Sequence, residues 1–259
     1  MDKHFELTDK FIINAFGIKL LQIKCTRKIK HADVGDLGGY IEKEDNLSGD
    51  AWVSGNAQVS GNAQVCGDAK VYGDAKVYGD AQVSGDAWVS SNAKVYGNAQ
   101  VSGDAKVYGD AWVYGDAKVY GNAWVSGDAQ VSGNAHVSGD AWVYDDAKVY
   151  GNAQVYGDAQ VSGDAKVSGD AKVSGNAQVS GDAKVSNNNE HCGFDCFGSA
   201  NRHTHAYKTQ SGKVEIICGC FRGSIEEFEE QVKKTHQGNE FERQYMAIAE
   251  VIKIKLGLK

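Results

Sequence analysis

The feature that most constrains the fold is a six-residue repeat. Valine recurs every six residues from Val53 to Val185, 23 times without a gap, and alanine precedes each valine by two positions. Residues two apart in a strand lie on the same face. A Gly-Asp or Gly-Asn pair separates most Ala-x-Val units, and these residues favour turns because they tolerate positive φ. Each hexapeptide is therefore predicted to be a short strand with inward Ala and Val, followed by a corner.

This repeat resembles the hexapeptide repeat of left-handed parallel β-helices, in which three hexapeptides form one triangular coil. The resemblance implies left-handedness and seven to eight coils, a rod about 37 Å tall at the usual spacing of strands. The predicted fold class is mainly β: a left-handed parallel β-helix with an N-terminal cap and a small C-terminal α+β module.

Two non-repetitive segments flank the repeat, which gives three predicted regions: a cap over residues 1–47, the β-helix over 48–186 and the C-terminal module over 187–259. A stack of repeats exposes unpaired strand edges at its ends and needs such caps. In the first segment, β-type residues around Gly17 predict a hairpin.

The C-terminal segment is predicted to contain a loop-like junction, a hairpin and two helices. "NNNEHCGFDCFGSANRHTH" is interpreted as the junction, and "HAYKTQSGKVEIICGCF" alternates as a hairpin that turns at Ser211–Gly212. Ser224 and Glu227 form a capping-box pattern at the start of the first helix. Gly238 and Gly257 are predicted to end the two helices. The predicted buried faces comprise Ile225, Phe228 and Val232 in one helix and Tyr245, Ile248, Ala249 and Ile252 in the other.

Outward residues that are 18 apart should align in columns along the rod. Two faces then carry aromatic columns, and the residues predicted to bind a partner are Trp52, Trp88, Trp124, Trp142, Tyr78, Tyr96 and Tyr114. Trp and Tyr anchor interfaces, and exposed aromatic patches usually mark binding sites. The alternative is that the aromatic side chains only stabilise the outer ladder as cross-strand pairs.

The corners carry acidic columns. One such column comprises Asp74, Asp110, Asp128, Asp146, Asp164 and Asp182. From Asp50 to Val185 the chain has 16 Asp, 9 Lys and neither Glu nor Arg, a formal charge of −7. A regular anionic rod could mimic nucleic-acid phosphates. Turn chemistry alone also explains the Asp and Asn residues, and the interspersed lysines weaken the mimicry.

Two further patterns suggest chemistry only weakly. Cys192, Cys196, Cys218 and Cys220, with histidines nearby, could ligate zinc, but their spacing differs from the usual paired motifs, and cysteines are often simply buried. We expect neither a metal nor another cofactor. His136 is the one histidine in the repeat and lacks an evident partner for general-base catalysis.

The whole chain resembles a group of phage- and prophage-borne hexapeptide-repeat proteins, often labelled polymer-forming cytoskeletal or acetyltransferase-like, and the motifs at its two ends are more specific than the repeat. The N-terminal stretches are "FELTDK" and "GDLGGYIEKEDNLSGDAWV", and the C-terminal ones are "CGCFRGSIEEFEEQVKKTH" and "YMAIAEVIKIK". The resemblance implies a left-handed β-helix and a viral or mobile-element origin, and it brings no established catalytic residues.

The leading hypothesis is a non-enzymatic phage-type protein whose rigid rod binds a host or phage protein and inhibits a host antiviral defence. The alternatives are a structural protein that assembles into trimers or filaments, and an acyltransferase-like enzyme. With a net charge of −7 the chain is not expected to bind nucleic acid directly. Its first residues match neither a signal peptide nor a membrane span, so we expect a location in the cytoplasm of the bacterial host.

Overall fold

A computed structural model describes residues 3–258, and it begins with an antiparallel hairpin. Strand β1 (Phe5–Ile13) pairs with β2 (Lys19–Cys25), which confirms the hairpin predicted around Gly17. Strand β3 (Leu37–Ile41) pairs with β2 in antiparallel fashion and with the repeat strand at Gln58–Val59 in parallel fashion. A 3-10 helix, Glu44–Asn46, leads into the repeat.

The repeat forms 23 two-residue strands, β4 (Trp52–Val53) to β26 (Lys184–Val185), each made of the outward residue and the valine of one hexapeptide. They form three parallel sheets. The Trp face contains Trp52–Val53, Lys70–Val71, Trp88–Val89, Lys106–Val107, Trp124–Val125, Trp142–Val143, Gln160–Val161 and Gln178–Val179. The Tyr face contains Gln58–Val59, Lys76–Val77, Lys94–Val95, Trp112–Val113, Gln130–Val131, Lys148–Val149, Lys166–Val167 and Lys184–Val185. The Gln face contains Gln64–Val65, Gln82–Val83, Gln100–Val101, Lys118–Val119, His136–Val137, Gln154–Val155 and Lys172–Val173.

Each coil of this β-solenoid contacts the next through a register of 18 residues. Val89 pairs with Val107, and the amide of Ser90 donates to the carbonyl of Val107 at 2.9 Å. All repeat valines and alanines are buried, at 3% exposure or less. The structure therefore confirms the predicted coil of three hexapeptides around an Ala and Val core, while its handedness remains an expectation from the resemblance.

The corners need glycine for two reasons. Gly109 has φ +72°, in the left-handed region, and a Cβ added to it would lie 2.9 Å from the amide nitrogen of Gly127 in the next coil. A side chain would therefore meet both backbone strain and a close backbone contact. Two corners carry another residue with positive φ, Ser91 at 59° and Asp145 at 57°.

The C-terminal module is a four-stranded antiparallel sheet with two helices. Its strands are β27 (His191–Phe197), β28 (Arg202–Lys208), β29 (Val214–Cys218) and β30 (Phe221–Gly223), and its helices are α1 (Ile225–His236) and α2 (Glu240–Leu256). The antiparallel pairing of β28 and β29 confirms the predicted hairpin. The predicted helix faces are buried, and the capping box of α1 is present.

The expectation of a loop-like junction was wrong, because β27 pairs with β28 across it. Its Gly- and Asn-rich sequence hides a strand whose register shifts between Phe194 and Phe197, where Cys196 has φ 61°. The predicted end of α1 was also displaced, since Gln237 rather than Gly238 is the C-cap and adopts the left-handed conformation. Gly257 caps α2 as predicted. Within residues 3–258, no helix combines the length and apolar character required to cross a bilayer.

Candidate recognition faces

The Tyr face carries three stacked phenol rings. Tyr78 and Tyr96 stack with centroids 4.9 Å apart, and Tyr96 and Tyr114 stack at 5.0 Å, with interplanar angles of 1° and 2°. Burial raises the pKa of Tyr78 and of Tyr96. The rings follow the spacing of the coils, so the stack stabilises the outer ladder and also presents a continuous edge of aromatic rings to solvent.

The N-terminal hairpin limits access to one end of this stack. Phe16, in the turn between β1 and β2, lies 5.5 Å from the ring of Tyr78. Tyr78 is therefore covered on one side, while Tyr96 and Tyr114 stay half-buried without such a cover. The half of the stack that a partner can reach is centred on Tyr96 and Tyr114.

On the Trp face, tyrosines and tryptophans pack edge to face across neighbouring coils. Tyr72 contacts Trp88, and Tyr108 contacts Trp124, each pair at 6.2 Å between centroids. The alternation of Trp-Val-Ser with Lys-Val-Tyr on this face thus brings each tyrosine against the tryptophan of the next coil. At Trp142 the alternation ends, and Trp124 and Trp142 stack directly at 4.9 Å with an angle of 3°.

Trp52 does not belong to an exposed recognition surface, contrary to the prediction. Its side chain is 2% exposed, because His4 and Phe5, where β1 begins, lie over the first coil. The ring of His4 lies 6.2 Å from that of Trp52, and its Nε2 lies 2.8 Å from the carbonyl oxygen of Ala51. Trp52 is therefore part of the cap contact, whereas Trp88 and Trp142 are 38% and 43% exposed.

A shallow groove of about 750 Å³ runs along the corner of the Trp face. We call it the Trp groove, and it is lined by Trp88, Trp124 and Trp142 together with Asp86, Asp104, Asp140 and Asp158. Lys106 points between two of its rings, with Nζ 5.5 Å from the Trp88 centroid and 4.6 Å from the Trp124 centroid. The groove therefore combines aromatic rings and carboxylates with the ammonium group of Lys106.

The carboxylates of this groove belong to a second acidic column, different from the predicted one. The column comprises Asp50, Asp68, Asp86, Asp104, Asp140 and Asp158. It has as many Asp residues as the predicted column, and the same 18-residue spacing could have identified it. The spacing could not show that the basic stretch "TRKIKH" of the cap packs against the N-terminal end of this column. We call the N-terminal end of the rod its upper end and the C-terminal end its lower end.

The predicted acidic column follows a different corner, between the Trp face and the Tyr face. Its lower part, Asp128, Asp146, Asp164 and Asp182, lines a polar groove of about 690 Å³. Lys148 and Lys166 line the same groove. Lysines therefore lie among these carboxylates, as expected from the sequence, and the groove alternates in charge instead of presenting an uninterrupted anionic edge.

The four weak zinc candidates are spread over the C-terminal module. Cys218 is buried and accepts a hydrogen bond from Thr204 Oγ1 at 3.2 Å, whereas Cys196 and Cys220 are exposed. Burial raises the pKa of Cys192 to about 11, which favours the neutral thiol over the thiolate that zinc binds. In the part of the chain that the structure describes, no three His, Cys, Asp or Glu side chains are placed to hold a metal ion.

His191, His203 and His205 meet where the module contacts the last coil, and the ring of His205 lies 5.3 Å from that of His191 and 5.7 Å from that of His203. His205 is 1% exposed, and its Nδ1 lies 2.8 Å from the carbonyl oxygen of Gln178. A carbonyl only accepts, so this nitrogen carries the proton, and Nε2 accepts from His191 Nδ1 at 3.0 Å. Burial lowers the pKa of His205 to about 3 and also lowers that of His191.

The contact between the C-terminal module and the last coil is expected to weaken in mild acid. An unfolded histidine titrates near pH 6.5, while the folded-state pKa of His205 is about 3. As the pH falls from about 6.5 towards 3, His205 gains a proton in the open state, in which the module has separated from the last coil, but not in the closed state. The free energy that opening requires therefore falls by up to about 1.4 kcal/mol per pH unit. Hydrogen exchange of the β28 amides, corrected for intrinsic rates, should therefore accelerate between pH 7.5 and pH 5.

The control for this experiment is the exchange of amides around Val113, in the middle of the rod, which should not change over the same range. The His205→Gln variant should exchange faster at pH 7.5 and lose most of the pH dependence. Equal acceleration along the whole chain would contradict the assignment to the histidines.

His136 occupies an ordinary outward position on the Gln face. Its ring is half-buried and lies 6.3 Å from the ring of Tyr120 in an edge-to-face arrangement. Among the described residues, no hydrogen bond joins its imidazole to a carboxylate or hydroxyl that could orient it. The coils are continuous on both sides of this histidine, with no inserted loop.

Comparison with known proteins bears on the repeat. A family model described as the YdcK beta solenoid repeat matches residues 99–115 and 129–145. Both matched segments lie inside the rod, so the similarity concerns the solenoid and leaves out both ends of the chain. A search of curated proteins finds no match.

Proposed function

We propose that this protein is a non-enzymatic binding protein whose rigid β-solenoid engages another macromolecule through its aromatic faces. In this proposal the partner is a host protein, and the binding inhibits a host antiviral defence. The phage-type origin and the role in defence rest on the resemblance of the end segments.

The observation that carries the proposal is the arrangement of exposed rings on an unbroken stack of coils. Trp88 and Trp142 on one face, and Tyr96 and Tyr114 on another, are held in fixed register by the strands beneath them. A rigid aromatic surface loses little conformational entropy on binding, and Trp and Tyr are the side chains that contribute most at interfaces. Among the described residues the rod offers no comparable cluster of catalytic groups.

Self-association is the second candidate, and the exposed strand β1 favours it. This strand forms one edge of the 11-stranded sheet, and Phe11 and Ile13 on it are 51% and 57% exposed. Such an edge can pair with the same edge of another copy. Light scattering over a wide concentration range separates the two candidates, because a monomer at every concentration would remove self-association.

The binding proposal is tested by affinity capture with face variants. The repeat supplies conservative substitutions, because Gln occurs naturally at the Trp positions and Ser at the Tyr positions. One bait carries Trp88→Gln and Trp142→Gln, and a second carries Tyr96→Ser and Tyr114→Ser. We expect the unmodified chain to retain one stoichiometric protein from a bacterial host lysate, and at least one bait to lose it.

The matched control is a bait with Lys118→Gln and Tyr156→Ser on the Gln face, which should retain the partner. Failure of the unmodified chain to retain any protein would contradict the proposal. Equal retention by all baits would also contradict it, because binding would then not depend on the exposed rings of the aromatic faces. Turnover of acetyl-coenzyme A that disappears in His136→Ala would instead support the acyltransferase alternative.

A further inference from the structure

The upper end of the Trp groove is already occupied by a basic segment of the chain itself. Residues 26–33 form a loop of the cap, which we call the basic loop. This loop lies along the acidic column and extends towards the lower end of the rod. Arg27 Nη2 lies 2.7 Å from Asp50 Oδ1, and Lys30 forms ion pairs with Asp68 and Asp86. These three carboxylates belong to three consecutive coils, so the loop follows the axis of the rod.

The basic loop also uses the aromatic side of the groove. The ring of His31 packs edge-on against Trp88 at 6.5 Å, and its Nε2 lies 2.9 Å from the carbonyl oxygen of Asp68. This contact shows how a polypeptide fits here: cationic side chains meet the carboxylates, and a ring packs on the indole.

The lower end of the groove repeats these features without an occupant. Asp104, Asp140 and Asp158 are exposed, and none of them forms an ion pair within residues 3–258. Trp142, beside them, is 43% exposed and stacks only on Trp124 among the described aromatic rings.

Two lysines line the groove. Lys30 pairs with Asp68 and Asp86 at the upper end, and Lys106 is directed between Trp88 and Trp124. Asp140 accepts a hydrogen bond from the neutral amide of Asn122 at 2.9 Å, and neither lysine forms an ion pair with Asp140 or Asp158.

From this juxtaposition we infer that the lower Trp groove binds a Lys- or Arg-rich segment of another polypeptide. Carboxylates attract the cations of such a segment, and indole rings bind guanidinium and ammonium groups through cation–π contacts. Lys106 shows that this surface places an ammonium against its indoles. The free part of the acidic column runs from Asp104 to Asp158 over four coils, about 14 Å at the usual spacing of strands, which is the length of about four to five residues of an extended peptide. This inference deepens the proposed function by naming the chemistry of the partner.

The test is a titration with a defined probe, a fluorescein-labelled dodecapeptide of alternating Arg and Ser, followed by anisotropy at low salt. The unmodified chain should bind it, and the double variant Asp140→Asn/Asp158→Asn should bind at least about tenfold more weakly because two charge-assisted contacts are lost. Trp142→Gln should weaken binding about fivefold through the lost cation–π contact. Both changes preserve the rod, since Asn122 lies in the same corner column and Gln160 in the same strand column.

The matched control is Asp116→Asn/Asp170→Asn, which removes the same charge from the corner between the Tyr and Gln faces and should change affinity less than twofold. Circular dichroism verifies that each variant is folded. Absence of peptide binding would overturn the inference, as would equal weakening by the control pair. Spermine binding as tight as that of the peptide, or tight binding of a neutral oligosaccharide that Trp142→Gln abolishes, would overturn it too.

The result of the peptide titration is independent of the result of the affinity capture. If the peptide does not bind, the inference of a Lys- or Arg-rich partner segment is wrong, but a protein retained in the affinity capture still supports the proposed function. Conversely, a failed capture with successful peptide binding would contradict the host partner and leave the groove chemistry in place.

Discussion

Replacing Val113 with aspartate is expected to unfold the central coils of the rod. Val113 is 0% exposed and lies between Val95 and Val131 in the ladder of the Tyr face. An aspartate there would have only Ala and Val side chains around its carboxylate. Burying a charge without a partner costs at least about 4 kcal/mol, and each coil depends on both neighbours, so two interfaces fail together.

The control for this prediction is the adjacent residue. Trp112 is 37% exposed and points outward, so Trp112→Gln should remain folded and lose little stability. Urea unfolding followed by circular dichroism measures both variants. A Val113→Asp variant as stable as Trp112→Gln would show that the valines do not form the core.

The second large effect is expected from Gly109→Val at a corner. A β-branched residue at φ +72° is strained, and its Cβ would lie within 3.0 Å of the amide nitrogen and the carbonyl oxygen of Gly127. Strain and close contact together should cost about 3 kcal/mol or more. The measurement is again the free energy of unfolding in urea.

The opposite change at another corner provides the control. Ser91 already has φ 59°, so Ser91→Gly relieves strain and should stabilise the rod by about 1 kcal/mol. If Gly109→Val had no effect, or if Ser91→Gly destabilised the rod by a similar amount, the corner geometry would not be the reason for the glycines.

The rod could be predicted from sequence because its determinants are local and repeated. The Ala-x-Val spacing specifies which side chains point inward, and the Gly-Asp and Gly-Asn pairs specify the corners. The columns of Tyr78, Tyr96 and Tyr114 then follow from a coil of three hexapeptides, and the stacking distances agree with that arithmetic.

The features that escaped prediction depend on contacts between segments far apart in sequence. His4 covers Trp52 across 48 residues of chain, and Lys30 reaches Asp86 across 56. Strand β27 was missed because its pairing with β28, and not its composition, makes it extended. No periodicity encodes these contacts, so the occupied and the free parts of the Trp groove were visible only in the structure.

We infer that the rod is a stack of interchangeable coils of 18 residues, which carries the candidate recognition faces. Deleting residues 115–132 removes one complete coil and preserves the six-residue spacing, whereas deleting residues 115–129 removes fewer residues but joins Tyr114 to Gln130 and shifts every later valine by three positions. The most direct test is thermal unfolding of the two variants combined with small-angle X-ray scattering. We predict that the larger deletion stays cooperatively folded and shortens the molecule by about 4.8 Å, while the smaller one loses its cooperative transition. A smaller deletion that folds as well as the larger one would contradict the account.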